Sequence, residues 1–168
     1  MQRRKQIRLK NFDYSTEGAY FVTICVNGRD CILGKIVDGC MKLSLMGEIV
    51  NQYWNLIPEI YPNIYLDEYV IMPNHLHGII VNVGAVINRP HDGAIDNRPY
   101  GKLSQIIKSY KQMVTKHIRK QNIYFQWQRN YHDHIIRNET DLHRIREYII
   151  NNPLQWATDE NNIVVNKK

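Results

Sequence analysis

The spacing of apolar and polar positions changes several times along this chain, and each change marks an element. Ala19-Tyr20-Phe21-Val22-Thr23-Ile24-Cys25-Val26 is rich in aromatic and β-branched residues, which predicts a strand, and it runs into Asn27-Gly28, a turn pair. Lys35-Ile36-Val37 and Met41-Lys42-Leu43 flank Asp38-Gly39 and predict a small hairpin. From Ser44, apolar residues at Leu45, Ile49, Tyr53, Leu56 and Ile57 recur at helical spacing until Pro58 stops or bends the helix. Residues 64–71 predict a strand, and after the Pro73-Asn74 break a second runs from His75 through Val83. So short a break makes the two antiparallel neighbours. Residues 103–120 predict a helix with Leu103, Ile106, Ile107, Tyr110, Met113, Val114 and Ile118 on one side. Residues 126–137 read as a loop leading into a strand. A last helix is predicted from about residue 140 to 152, with Pro153 ending it.

The order β, α, β, β, α, β, α predicts an α+β fold: a ferredoxin-like or RRM-like antiparallel sheet packed by helices, with an additional C-terminal helix. A chain of 168 residues fits one domain that buries roughly 70% of its unfolded surface. We expect a basic arm at 1–14, a single domain at 15–157 and a tail at 158–168. Within the domain, Gly84-Ala85-Val86-Ile87-Asn88-Arg89-Pro90 is echoed by Gly93-Ala94-Ile95-Asp96-Asn97-Arg98-Pro99. This repeat is too short for a solenoid unit and rich in turn residues, so 84–101 is expected to be a mobile loop.

Charge narrows the partners. Lys and Arg number 22 against 16 Asp and Glu, and Arg3, Arg4, Lys5, Arg8 and Lys10 crowd the first ten residues. Such a balance suits a polyanion. No run approaches 18 consecutive apolar residues, and the first residues lack the apolar stretch of a signal peptide, which argues against a membrane. Cys25, Cys31 and Cys40 are odd in number and lack Cys-x-x-Cys spacing, so they read as reduced thiols of a cytoplasmic protein.

Candidate chemistry begins at Asn74-His75-Leu76-His77-Gly78. Alternate residues of a strand point the same way, so His75 and His77 share a face, roughly 6.5 to 7 Å apart at Cα, and can converge on one divalent cation. By itself the pair suits a solvated polar face equally well. In the last helix Leu142, Ile145 and Ile149 form the apolar stripe. Tyr148 falls on its margin, with Asn152 one turn further along the same side. A marginal phenol can lean on the core while its hydroxyl faces a cleft, although Tyr53, Tyr69, Tyr110 and Tyr131 compete for any chemical role.

Four motifs in order, Pro73-Asn74-His75-Leu76-His77-Gly78-Ile79-Ile80, Trp127-Gln128-Arg129-Asn130-Tyr131, His134-Ile135-Ile136-Arg137-Asn138-Glu139 and Tyr148-Ile149-Ile150-Asn151-Asn152-Pro153, resemble those of REP-associated tyrosine transposases of the HUH single-strand transposase superfamily (IS200-like). The resemblance covers roughly residues 15 to 157. It implies that His75 and His77 are metal ligands, that Tyr148 is the nucleophile, and that Asn152 supplies the third polar group at an Mg²⁺ or Mn²⁺ ion. Insertion-sequence relatives usually carry glutamine four residues after the tyrosine; asparagine is one methylene shorter. Also implied are a single-stranded DNA substrate with a hairpin of the repetitive extragenic palindrome type, a working unit of one or two subunits, and a cytoplasmic, nucleoid-associated location.

These residues suit the chemistry. A phosphodiester repels an oxygen nucleophile and a phenol is ordinarily protonated at neutral pH, so a cation at the histidines would neutralise charge and orient phosphorus for attack. A phosphotyrosyl intermediate conserves the bond for a later attack by a DNA 3′-hydroxyl. Arg3, Arg4, Lys108, Lys111, Trp127, Arg129 and Arg137 are candidate DNA contacts, as phosphate-facing cations or, for Trp127, a stacking platform. Trp127 could equally cap the core. Two alternatives stay open at this level: a domesticated hairpin-binding protein without turnover, and a metal-dependent phosphodiesterase that uses water.

Overall fold

A computed structural model describes residues 17–83, 103–159 and 161–162. Its strands are β1 (Gly18–Cys25), β2 (Gly34–Val37), β3 (Cys40–Leu43), β4 (Ile64–Met72), β5 (His75–Asn82) and β6 (His132–Ile136). Its helices are α1 (Leu45–Asn55), α2 (Ile57–Ile60), α3 (Leu103–Arg119) and α4 (Glu139–Gln155), with 3₁₀ turns at Asn27–Arg29 and Trp156–Thr158. The predicted arm at 1–14 and the loop at 84–101 lie outside the described residues.

The main sheet has the order β4-β5-β1-β6 and every neighbouring pair is antiparallel. With β2 and β3 set aside as a separate hairpin, this is the ferredoxin-like strand order, and the expected α+β fold is the observed one. Side-chain alternation sorts the sheet into two faces. Tyr20, Val22 and Ile24 of β1 and Leu76 and Ile80 of β5 join Trp54 of α1 and Ile106, Ile107, Tyr110 and Val114 of α3 in the larger core. The opposite face gathers Ile79 and Phe21 with Ile136, Ile145 and Ile149 beneath α4. His75 and His77 share the parity of Ile79, so the C-terminal helix covers them.

Gly78 lies between these layers for a steric reason. A Cβ there would meet Cζ2 of Trp54 at 2.4 Å, so only hydrogen lets the indole lie against β5. Side chains cap the starts of α1 and α4: Ser44 Oγ accepts from the Gly47 N–H at 3.2 Å and Asn138 Oδ1 from the Asp141 N–H at 2.8 Å.

Two prolines behave differently from their local signals. Pro58 sits in the first turn of α2, where a missing N–H costs no helical hydrogen bond, so it begins a short helix after α1 ends. Pro153 does not end α4, which continues to Gln155. The local bias against helix at Asn152 is overridden by packing, since that side chain is 1% exposed beneath the helix. The lost hydrogen bond falls in the last turn, and the Trp156 N–H closes on the Pro153 carbonyl.

Candidate active site

His75 and His77 open β5 at the point where it pairs with the end of β1, Cys25 opposite His75 and Thr23 opposite His77. Both imidazoles are buried, 0% and 3% exposed, and each has a partner on Nδ1. Asn74 Nδ2 donates to the carbonyls of Arg29 and Asn161, both at 2.9 Å, which commits its Oδ1 to face His75 Nδ1 at 2.7 Å. An amide oxygen only accepts, so the His75 proton is on Nδ1 and Nε2 keeps its lone pair. Thr23 Oγ1 holds Nδ1 of His77 at 2.8 Å and can accept the proton there.

The two Nε2 atoms then face each other at 2.9 Å. With His77 protonated on Nε2 they form a hydrogen bond; with the proton on Nδ1, both lone pairs converge and suit a shared cation. Burial holds both rings in the neutral form that such binding needs. It pushes His75 down to about 3, helped by the Arg29 guanidinium. His77 also falls well below the ordinary imidazole value, through burial first and then the neighbouring His75, with Asp159 acting in the opposite sense.

Tyr148 reaches the same nitrogens from α4. Its hydroxyl is 3.2 Å from His77 Nε2, its ring meets the imidazole at 5.2 Å between centroids, and the residue is 39% exposed. Phe21 of β1 stacks on His77 at 5.3 Å and meets Tyr148 edge-on at 6.0 Å, so one aromatic ring braces nucleophile candidate and ligand candidate alike. Both come from the same chain. Asn152 lies one turn beyond Tyr148, buried, and its Oδ1 has no hydrogen-bond partner among the described residues. A buried carbonyl oxygen without a donor is costly unless something else binds it.

Two neutral imidazoles and a carboxylate form a donor set that fits a divalent cation, and the unpartnered Asn152 oxygen is a further candidate donor. That carboxylate is Asp159, whose ligand oxygen lies with those of His75 and His77 inside a 4.8 Å cluster. Sequence reasoning missed it. It follows α4 in a stretch read as a tail, and the available signal was only the turn-forming run Asp159-Glu160-Asn161-Asn162 beyond Trp156.

The other candidate residues are placed apart from this cluster. Lys108, Arg129 and Arg137 are exposed. The Lys111 ammonium donates to the carbonyls of Gln128 and Asn130 at 2.9 Å and is pushed down to about 8 by burial. Trp127 is 6% exposed, with Phe125 at 4.9 Å and Tyr110 at 6.2 Å, so its ring belongs to the core and offers no free face for a base. Arg3 and Arg4 lie outside the described residues. Among the described residues no helix is long and apolar enough to cross a membrane.

No protein-family model matches the chain. A protein of Haemophilus influenzae (strain ATCC 51907 / DSM 11121 / KW20 / Rd), described as uncharacterized, is 42% identical over 165 residues, 94% of this chain and 92% of the relative. The chain belongs to one family with it. Among solved structures, a REP-associated tyrosine transposase bound to a REP hairpin superposes with a TM-score of 0.60 at 17% identity, over 91% of this chain and 76% of that one. The family of the Haemophilus protein therefore has, in this member, the fold of a tyrosine transposase.

Proposed function

We propose that the chain is a metal-dependent single-stranded DNA endonuclease and strand transferase that cleaves near hairpins through Tyr148. The observation that carries this reading is the Tyr148 hydroxyl 3.2 Å from His77 Nε2, itself 2.9 Å from His75 Nε2. Nucleophile and cation ligands thus meet at one point, on the fold of a protein whose solved structure contains a REP hairpin. A Mg²⁺ or Mn²⁺ ion held by His75, His77 and Asn152 would supply charge neutralisation at a phosphate oxygen.

The chain's own residues do the rest. Asn74 fixes the His75 tautomer, Thr23 can accept the His77 Nδ1 proton, Phe21 sets the tyrosine ring, and the half-exposed phenol faces incoming DNA. The Tyr148 oxygen bonds to phosphorus as the bond from phosphorus to the 3′-oxygen breaks. The phenolic proton is released, the departing 3′-oxygen takes one up, and a 5′-phosphotyrosine remains. A cleft of about 790 Å³ lined by Lys111, Lys116, Arg119, Lys120 and Arg129 suits the DNA backbone. Its Gln128 donates a backbone N–H to the carbonyl of Cys25, the β1 partner of His75, so the cleft wall is tied to the strand beside the site. Cytoplasmic, nucleoid-associated action is part of this proposal.

Incubation with a hairpin oligonucleotide and Mn²⁺ should give a denaturation-resistant protein–DNA adduct that Tyr148→Phe abolishes. An adduct that persists in Tyr148→Phe assigns the nucleophile elsewhere, and cleavage without any adduct favours attack by water.

A further inference from the structure

Beyond α4 the chain makes a 3₁₀ turn, Trp156–Thr158, and folds back over the histidines. Three hydrogen bonds shape this segment. The Asp159 N–H donates to the Trp156 carbonyl at 3.2 Å, Asn162 N–H to the Asp159 carbonyl at 3.0 Å, and Asn162 Nδ2 to the Trp156 carbonyl at 2.9 Å. The indole of Trp156 lies over His75 at 6.0 Å between centroids. The Asn161 N–H donates to Asp159 Oδ1 at 2.6 Å, which fixes the carboxylate and leaves its second oxygen for another partner.

The segment is also tied to the first histidine. Asn74 Nδ2 donates to the Asn161 carbonyl at 2.9 Å in a buried contact, while Asn74 Oδ1 orients His75 Nδ1. One amide side chain therefore holds both the ring and the loop that brings the acid. Charge favours an acid at this place. Two neutral imidazoles and an amide carry no formal negative charge, and the nearby Arg29 guanidinium adds a positive one. A dication buried in that company is poorly compensated. Nitrogen-rich sets also favour later transition metals, whereas a carboxylate moves preference toward hard ions such as Mg²⁺ and Mn²⁺.

We infer that Asp159 is a direct carboxylate ligand of the site's divalent cation, delivered by the segment after α4, and that it sets both the affinity and the hard-ion preference of the His75–His77 pair. The inference rests on the metal site proposed above. It gives the residues beyond the tyrosine helix a defined task in completing the centre.

Mn²⁺ titration of the full chain by calorimetry tests it with a readout independent of DNA cleavage. Asp159→Asn keeps the shape and an oxygen for the Asn161 N–H, and it should weaken Mn²⁺ about tenfold or more while leaving the metal-free circular dichroism spectrum unchanged. His75→Ala should remove binding. Wild-type affinity in Asp159→Asn together with loss in His75→Ala overturns the role of Asp159 and leaves the histidine site standing. Wild-type affinity in both variants overturns both. Should Asp159→Asn fail to fold, the side-chain carboxyl ¹³C resonance of Asp159 in the wild-type chain decides: it should shift on Mg²⁺ addition, and an unmoved resonance overturns the inference.

Discussion

Asn74 contributes no atom to the proposed cation site, yet three of its contacts converge there. It accepts from His75, donates to the Arg29 carbonyl and donates to the Asn161 carbonyl. Groups that orient a metal-ligating histidine typically affect affinity by about 10- to 100-fold. Asn74→Ala should therefore weaken Mn²⁺ by that order in calorimetry although His75 and His77 are intact; Asn74→Asp, with no N–H to donate, should fail to restore it. Buried His75 makes a second prediction, with its sign set by the depressed value near 3. Above the ordinary imidazole value, neither folded nor unfolded His75 is protonated. As pH falls from about 6.5 toward 3 the unfolded chain takes up a proton that the folded ring refuses, so stability declines by about 1 kcal/mol per pH unit from this group. Urea denaturation of the metal-free chain between pH 7 and 5 should show the decline, and His75→Gln should make it shallower, leaving the part that buried His77 contributes. At this scale the shared face of the histidines and the marginal place of Tyr148 were legible because strand and helix periods fix which residues share a face, while their pairing as one site came from the motif resemblance. Asp159 was not, because no period governs a turn, and its role depends on Asn74, far away in sequence.

At the scale of elements, the position of α4 decides whether Tyr148 meets the histidines. Apolar contact comes from Ile145 and Ile149, and direction comes from Arg146, which grips Asp67 of β4 with Nε at 2.8 Å and Nη2 at 2.6 Å. A two-pronged guanidinium–carboxylate contact restrains rotation as well as distance. Asp67 lies where the β4–β5 register shifts, between Leu66 and Tyr69, and the irregularity turns its side chain to the helix. The guanidinium also holds the Asp67 carboxyl below the usual carboxylate range. Asp67→Asn should slow adduct formation several-fold in single-turnover assays and weaken Mn²⁺ by less, because it loosens the helix that carries Tyr148 and Asn152 while His75 and His77 stay fixed on β5. Equal loss of both would mean that the contact supports the whole centre. The sequence showed this helix and its apolar stripe, but placed its end at Pro153. Burial of Asn152 outweighs the local preference of a residue before proline, and burial is not visible in a dipeptide.

For the whole molecule, the two faces of the sheet divide the work. One face carries the histidines and the tyrosine helix, while α3, on the other, lines a cationic cleft with Lys116, Arg119 and Lys120, opposite Arg129 of the 126–129 segment. The strand order was legible because each connection length and alternation pattern allowed few topologies. The DNA-facing surface was legible only in part. Lys111 and Trp127 have the right chemistry for nucleic acid but are drawn into anchoring the segment that ends at Asn130, whereas Lys116 and Lys120 stay exposed. This assignment has a salt signature. Each phosphate neutralised on a single strand contributes roughly 0.7 to the slope of log affinity against log salt. Replacing Lys116, Lys120 and Arg129 together with alanine should lower the slope by about 2 for a hairpin oligonucleotide bearing a single-stranded flank, measured by fluorescence anisotropy over a KCl series. Mn²⁺ affinity should not change, because none of the three touches the histidine cluster. An unchanged slope would move the DNA path off this cleft and leave the basic residues of α3 as a solvated face.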